Sequence, residues 1–148
     1  MSTPDAPNAL AERNRAVALR WFAAMNAGEL GVTEELFAPD YELHITGGPE
    51  GVRGPAAIRA VVEGYRAAFP DLRFTVGATV AEGDTVAVRW TAEGTHAGPL
   101  LGMDPTGVHA RWTGISWFRF RDGQVTEDRV ENDVFGMMQQ LGGVPTPA

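Results

Sequence analysis

The chain contains no cysteine, which excludes disulfides, thiolate metal sites and thiol nucleophiles together. It has no apolar run of about 18 residues, so no segment is expected to span a membrane. Basic residues are few: 12 Lys and Arg against 19 Asp and Glu leave a formal charge of -7. That balance repels a phosphate backbone, so nucleic acid is a poor partner. The opening MSTPDAPNAL lacks the basic region and apolar core of a signal peptide, which makes the cytoplasm the expected location. There is no Gly-x-Ser-x-Gly sequence, and Ser116 lies in a strand pattern rather than a nucleophile context. No glycine loop matches a phosphate-binding or dinucleotide fingerprint. Residues 47–54 hold four glycines but no lysine, and they come after a strand with the wrong spacing.

What remains is a chain of 148 residues with a hydrophobic fraction of 44%, enough for one packed domain. Residues 1–8 read as a flexible leader, 9–142 as the domain and 143–148 as a tail. Asn8 is placed to cap a helix over 9–26, with Leu10, Val17, Trp21 and Met25 on one stripe and Gly28 as its stop. A short second helix covers 32–37, ended by Pro39 and Asp40. Residues 41–45 alternate as a strand, and TGGPEGVRGP reads as a glycine-rich turn. Pro55 suits the first position of a third helix over 55–69. Strands come next over 72–81, 85–95, 108–120 and 124–132, with Asp122-Gly123 a strong hairpin signal. Residues 134–141 form a terminal turn or short helix. The order predicts an α+β fold, a long, curved antiparallel sheet with three helices over its concave face and a cavity between them. Large apolar groups on both faces of the strands imply that both faces are covered, and a second copy is the simplest cover for the far side.

Two segments put polar residues of catalytic type into otherwise strand-like sequence: GTHAGPLLGMDPTG at 94–107 and DGQVTEDRVENDVFGMMQQLG at 122–142. Asp133 ends the last strand beside Val134 and Phe135, and strand parity places it with Glu131, Arg129 and Glu127. An aspartate in an apolar cavity has a raised pKa, which suits proton transfer near neutral pH. The competing reading makes Glu127, Arg129 and Glu131 a solvated face and Asp133 a cap for the turn at Val134. His96 closes a strand before a glycine- and proline-containing loop, where a neutral imidazole could polarise a carbonyl. It could equally be a hydrogen-bonded loop histidine. His44 and His109 are weaker candidates. No two histidines are spaced i, i+4 and no spacing signals a metal site, so no metal is expected. Trp21, Met25, Tyr65, Trp90 and Trp112 are read as pocket walls, since small-molecule sites are apolar concavities with few polar groups. Ordinary core packing is the alternative for each.

The segments MNAGEL, LFAPDY, FPDLRFTV, AEGDTVAVRWTAEGTHAGPLLGMDPTG and DGQVTEDRVENDVFGMMQQLG, in this order and spacing, resemble the SnoaL-like polyketide cyclases of the nuclear transport factor 2-like superfamily. The resemblance covers Arg20 to Gly142. It implies a cone-shaped, strongly curved antiparallel sheet with helices closing its mouth, and a homodimer through the sheet. It also implies a cofactor-independent intramolecular aldol closure or isomerisation of a hydrophobic substrate, with a polycyclic polyketide among the candidates. By position, Asp133 matches the family's acid/base aspartate and His96 the histidine of its GTH motif. Beside this match, His44, Arg129 and Glu131 are read from their strand positions as polar members of the pocket. The chain departs from the family at Trp21, where tyrosine is common. It also departs at Ile45, where a polar residue is common, and at Arg129, where tryptophan is common. Other members of the superfamily act in hydroxylation or open epoxides with water, and a non-catalytic ligand-binding role uses the same pocket.

Overall fold

A computed structural model describes residues 6–145. It contains four α-helices, α1 (Ala6–Ala27), α2 (Thr33–Leu36), α3 (Pro55–Ala68) and α4 (Val134–Leu141), and six strands. The strands are β1 (Phe37–Ile45), β2 (Val52–Arg53), β3 (Arg73–Glu82), β4 (Thr85–Thr95), β5 (His109–Arg121) and β6 (Gln124–Asn132). They form one sheet in the order β2-β1-β6-β5-β4-β3. All neighbours are antiparallel except β1 and β6. Placing the first long strand beside the last brings the middle of β1 against the middle of β6, and that pairing locates the polar centre of the core.

Two features of the expected architecture are corrected. The sheet is open, with β2 and β3 as edges that do not meet, so it is not strongly curled into a cone. Helices cover the apolar face instead of strand closure: α1 packs on β3 and β4, and α3 on β1 and β2. The second correction is a fourth helix among the described residues. α4 is a complete helix, started by the Asp133 side chain accepting from Gly136 N and stopped by Gly142 in the left-handed conformation at φ 82°. Both are standard helix end signals.

Smaller differences have local causes. α1 already runs through Ala6, so Asn8 lies inside it, and the expected leader falls partly outside the described residues, as does the end of the tail. The buried face of α1 includes Ala11, Asn14, Ala18, Trp21, Phe22, Ala24 and Met25, while Leu10 is exposed. Pro39 and Asp40 stand inside β1, at an interruption of its pairing with β6 between Phe37 and Glu42. Irregular pairing tolerates a proline where a regular ladder would not. The glycine-rich segment contains the two-residue strand β2.

The core lies between the helices and one face of the sheet. Along β5, buried and exposed residues alternate without a break. Trp112, Ser116, Phe118 and Phe120 point inward, while Ile115 and Trp117 point outward and are about half exposed. At the β5–β6 hairpin, Asp122 and Gly123 both adopt positive φ, the conformation that a tight two-residue turn requires.

Candidate functional site

The inner face of β6 carries the main polar feature of the core. Between Val125 and Asp128 the strand holds one residue more than β5 opposite, since Phe120 pairs with Val125 but Arg119 already pairs with Glu127. This bulge at Thr126 reverses the parity of the rest of the strand. Val125 and then Asp128 point inward, the latter opposite Phe118; Val130 lies opposite Ser116 and Asn132 opposite Gly114. Glu127, Arg129 and Glu131 go to the outer face.

Asp128 is buried, and its carboxyl lines a cavity of about 80 Å³. α1 supplies Trp21, Phe22 and Met25 to the wall and α3 supplies Ile58, Val62 and Tyr65. The sheet supplies Trp90, Trp112, Ser116 and Asn132, with Ile45 at the end of β1. Among the described residues, no lysine, arginine, histidine or glutamate lines it. Burial without a compensating cation pushes the Asp128 carboxyl up to about 8, and the Tyr41 hydroxyl beside it acts in the opposite direction. Burial raises the Tyr65 phenol as well. The carboxyl is therefore protonated through neutral pH and ionises within reach of it. That is the range in which one group can both take and give a proton.

The aromatic wall is fixed by specific packing. The Trp90 indole N–H donates to Ser116 Oγ at 3.0 Å, and the ring lies over Gly114, the only residue type with room for it. A Cβ on Gly114 would come within 2.3 Å of the indole. Phe74 meets Trp90 edge to face at 5.3 Å, and Phe69 packs on Trp112 at 5.1 Å.

The residues singled out from sequence separate into four places. Trp21, Met25, Tyr65, Trp90 and Trp112 line the cavity around Asp128. His44, Arg129 and Glu131 lie on the opposite side of the sheet, where they border an open depression with the 46–51 loop. There Arg129 pairs with Glu127 at 2.6 Å and Glu131 accepts from Thr46 Oγ1 at 2.6 Å. Asp133 is exposed. It caps α4, its Oδ1 accepting from Gly136 N at 2.8 Å, and a Cβ on Gly136 would collide with its carboxylate at 2.2 Å. His96 is completely buried beside Phe69 and outside the cavity lining. Its Nδ1 accepts the Thr106 backbone N–H at 3.2 Å and meets Thr106 Oγ1 at 2.9 Å. The N–H contact makes Nδ1 the acceptor, so the ring pins the end of the loop from Ala97 to Val108.

Sequence reasoning passed over Asp128, Asn132 and Ser116. The available signal was the grouping of Val125 with Asp128 and Val130 as one inward series, but it emerges only once the bulge is known. Among the described residues, no group of three or more His, Asp or Glu side chains is arranged to hold a metal ion. No described helix is long and apolar enough to cross a membrane.

Comparison with known proteins places this geometry. The family model for SnoaL-like polyketide cyclase matches residues 15–141. The nogalonic acid methyl ester cyclase of Streptomyces nogalater is 30% identical over 122 residues, covering 81% of this chain and 90% of that protein. AclR from Streptomyces galilaeus, a candidate hydroxylase, superposes with a TM-score of 0.81 at 31% identity, covering 94% of this chain and 90% of its own. IdmH from Streptomyces antibioticus, a candidate polyketide cyclase, gives 0.77 at 34% identity, covering 87% and 98%.

Proposed function

The chain belongs to the SnoaL-like polyketide cyclase family, and from that premise we propose that its cavity performs acid/base chemistry on a hydrophobic carbonyl compound, with Asp128 carrying the proton. The observation behind this reading is a single one: the only carboxyl among the described residues lining the aromatic cavity is fully buried, uncompensated by any cation, and raised to about 8. In its ionised form Asp128 removes a proton from the carbon next to a carbonyl. The resulting enolate attacks a second carbonyl of the same molecule, and the protonated Asp128 returns the proton to the new alkoxide. Nothing is gained or lost overall, so the product is isobaric with the substrate. The apolar walls fold the substrate into a reactive conformer and exclude water. In this reading Asp133 and His96 support the site indirectly, one by starting α4 and the other by holding the loop before β5.

The cavity is smaller than the roughly 300–1,000 Å³ of ordinary ligand pockets. It accommodates the reacting end of a substrate, and a fused ring system enters only when lining side chains shift. The test uses aromatic polyketide methyl esters, lactones and epoxides, incubated with wild type, Asp128→Asn and Asp133→Asn and followed by mass. The expected result is an isobaric product whose formation drops at least about 100-fold in Asp128→Asn and persists in Asp133→Asn. Equal turnover by Asp128→Asn would overturn the proposal. Addition of one water would favour epoxide opening, addition of one oxygen a hydroxylase role, and tight binding without turnover a ligand-binding protein.

We also propose that the outer face of the sheet seats a second copy of the chain. Val80, Ile115 and Trp117 are exposed there, at 69%, 45% and 50% of their surface, and Arg129 and Glu127 beside them offer charges of both signs. Sedimentation is expected to give a dimer for wild type and a monomer for Trp117→Glu. A monomeric wild type at micromolar concentration would contradict this assembly.

A further inference from the structure

Building on the role assigned to Asp128, we propose that Tyr41 is the positioning residue of that carboxyl, a phenol beneath the cavity floor that steadies Asp128 when it ionises and leaves its other oxygen to the substrate.

The backbone brings the two together through paired irregularities. β6 bulges at Thr126, which turns Asp128 inward. Its neighbour β1 is irregular over the same stretch: Phe37 pairs with Val125, yet Glu42 pairs with Glu127. The surplus residues of β1 end at Tyr41. Bulges re-aim side chains, and here each strand delivers one polar side chain to the same point in the core.

The Tyr41 ring is held on several sides. It meets Phe37 edge to face at 4.7 Å, and Phe37 meets Trp21 in the same manner at 4.8 Å. The backbone carbonyl of Tyr41 accepts from Gly54 N at 2.8 Å. The side chain is completely buried; neither its hydroxyl nor Asp128 Oδ1 has a partner at ordinary hydrogen-bond geometry, yet the two groups are close enough for the phenol to favour the carboxylate. A sealed hydroxyl left unpaired is costly, and phenylalanine would fill the same space without that cost. A neutral carboxyl accepts from a phenol weakly and a carboxylate strongly, and the Tyr41 phenol is the group placed to donate to the carboxylate.

Among the described residues no other charge competes for this role. Of the elements around Asp128, α1 contributes Trp21, Phe22 and Met25, β4 contributes Trp90, and β5 contributes Trp112 and Ser116. α3 contributes one titratable group, Tyr65, whose phenol faces the same cavity. Asn132 on β6 carries no charge. The effect of Tyr41 on Asp128 is to favour the ionised form, and the Asp128 charge in turn makes the Tyr41 phenol harder to ionise, after burial as the larger cause.

The test reads both groups by carbon NMR on the intact protein, with aspartate labelled at the carboxyl carbon and tyrosine at Cζ, and Asp128→Asn used to assign the signal. Asp128 is expected to titrate far above ordinary carboxylates in wild type, and higher by about one unit in Tyr41→Phe, since a hydrogen bond to the charged form has been removed. A high midpoint that Tyr41→Phe leaves unchanged would overturn the role of Tyr41 and spare that of Asp128. An ordinary midpoint in wild type would overturn both. A second readout does not need the Tyr41 variant to fold. In wild type the Tyr41 Cζ signal should step at the Asp128 midpoint and the step should vanish in Asp128→Asn; a Tyr41 signal indifferent to Asp128 also overturns the inference.

Discussion

Replacing Asp128 with asparagine is expected to stabilise the fold, by an amount that grows with pH up to about 8. In the folded chain this carboxyl holds its proton to about 8, against an ordinary value of 3.8. Its folded pKa is raised, so its contribution is fully present below the unfolded value and is lost as pH rises toward the folded one. Between those limits the unfolded chain binds fewer protons than the native one, and stability falls with pH. The slope for one fully shifted group is at most about 1.4 kcal/mol per pH unit. Asparagine does not titrate, so the gap between variant and wild type widens through that window and levels off above it. Urea unfolding of both proteins at several pH values measures the gap. A constant difference from about pH 4 to about pH 8 would mean that Asp128 is ordinary. A variant that is more stable yet inactive is the signature of a group retained for chemistry at a cost in stability.

Gly114→Ala is expected to be the most damaging small substitution in the cavity wall. The added Cβ would sit 2.3 Å from the Trp90 ring and 2.5 Å from its next carbon, well inside contact distance. Gly114 is paired with Trp90 on one side and Asn132 on the other, so its backbone cannot retreat without disturbing two ladders. The indole must rotate instead and leave Ser116 Oγ. Overpacking of this kind costs about 1–3 kcal/mol, and loss of a buried hydrogen bond adds about 1 kcal/mol. A melting curve followed by tryptophan fluorescence, with Trp90→Phe used to identify the Trp90 share of the emission, reports both. A variant with wild-type stability and an unchanged emission spectrum would show that the indole does not depend on the glycine beneath it.

The wall was legible in the sequence because its residues obey simple periods. Trp21 and Met25 fall one turn apart on α1, Tyr65 lies on the amphipathic α3, and Trp90 and Trp112 obey strand alternation. The hairpin at Asp122-Gly123 could be read for the same reason, since few sequences tolerate two successive positive φ values. The polar centre was not legible because it depends on broken periods. Alternation counted back from Asp133 groups it with Glu131, Arg129 and Glu127, but those three occupy the outer face. The inserted residue at Thr126 sends Asp128 inward. Tyr41 was read as the start of a strand after a break at Pro39 and Asp40, whereas that break is the irregularity that places it. The open sheet escaped for a related reason, since strand closure is tertiary information; for residues 134–141 the sequence leaves a turn and a short helix open, and the Asp133 and Gly142 caps decide for the helix. In this chain the regular positions build the container, and two strand irregularities place the buried polar pair Asp128 and Tyr41.

The most direct test of the account is the infrared spectrum of the protein in the carboxyl region as pH is raised, compared between wild type and Asp128→Asn. The expected result is a protonated carboxyl band at neutral pH, present in wild type, absent in the variant, and lost with a midpoint near 8. A wild-type spectrum without that band at neutral pH would place an ionised aspartate in the cavity and contradict the proposed acid/base site.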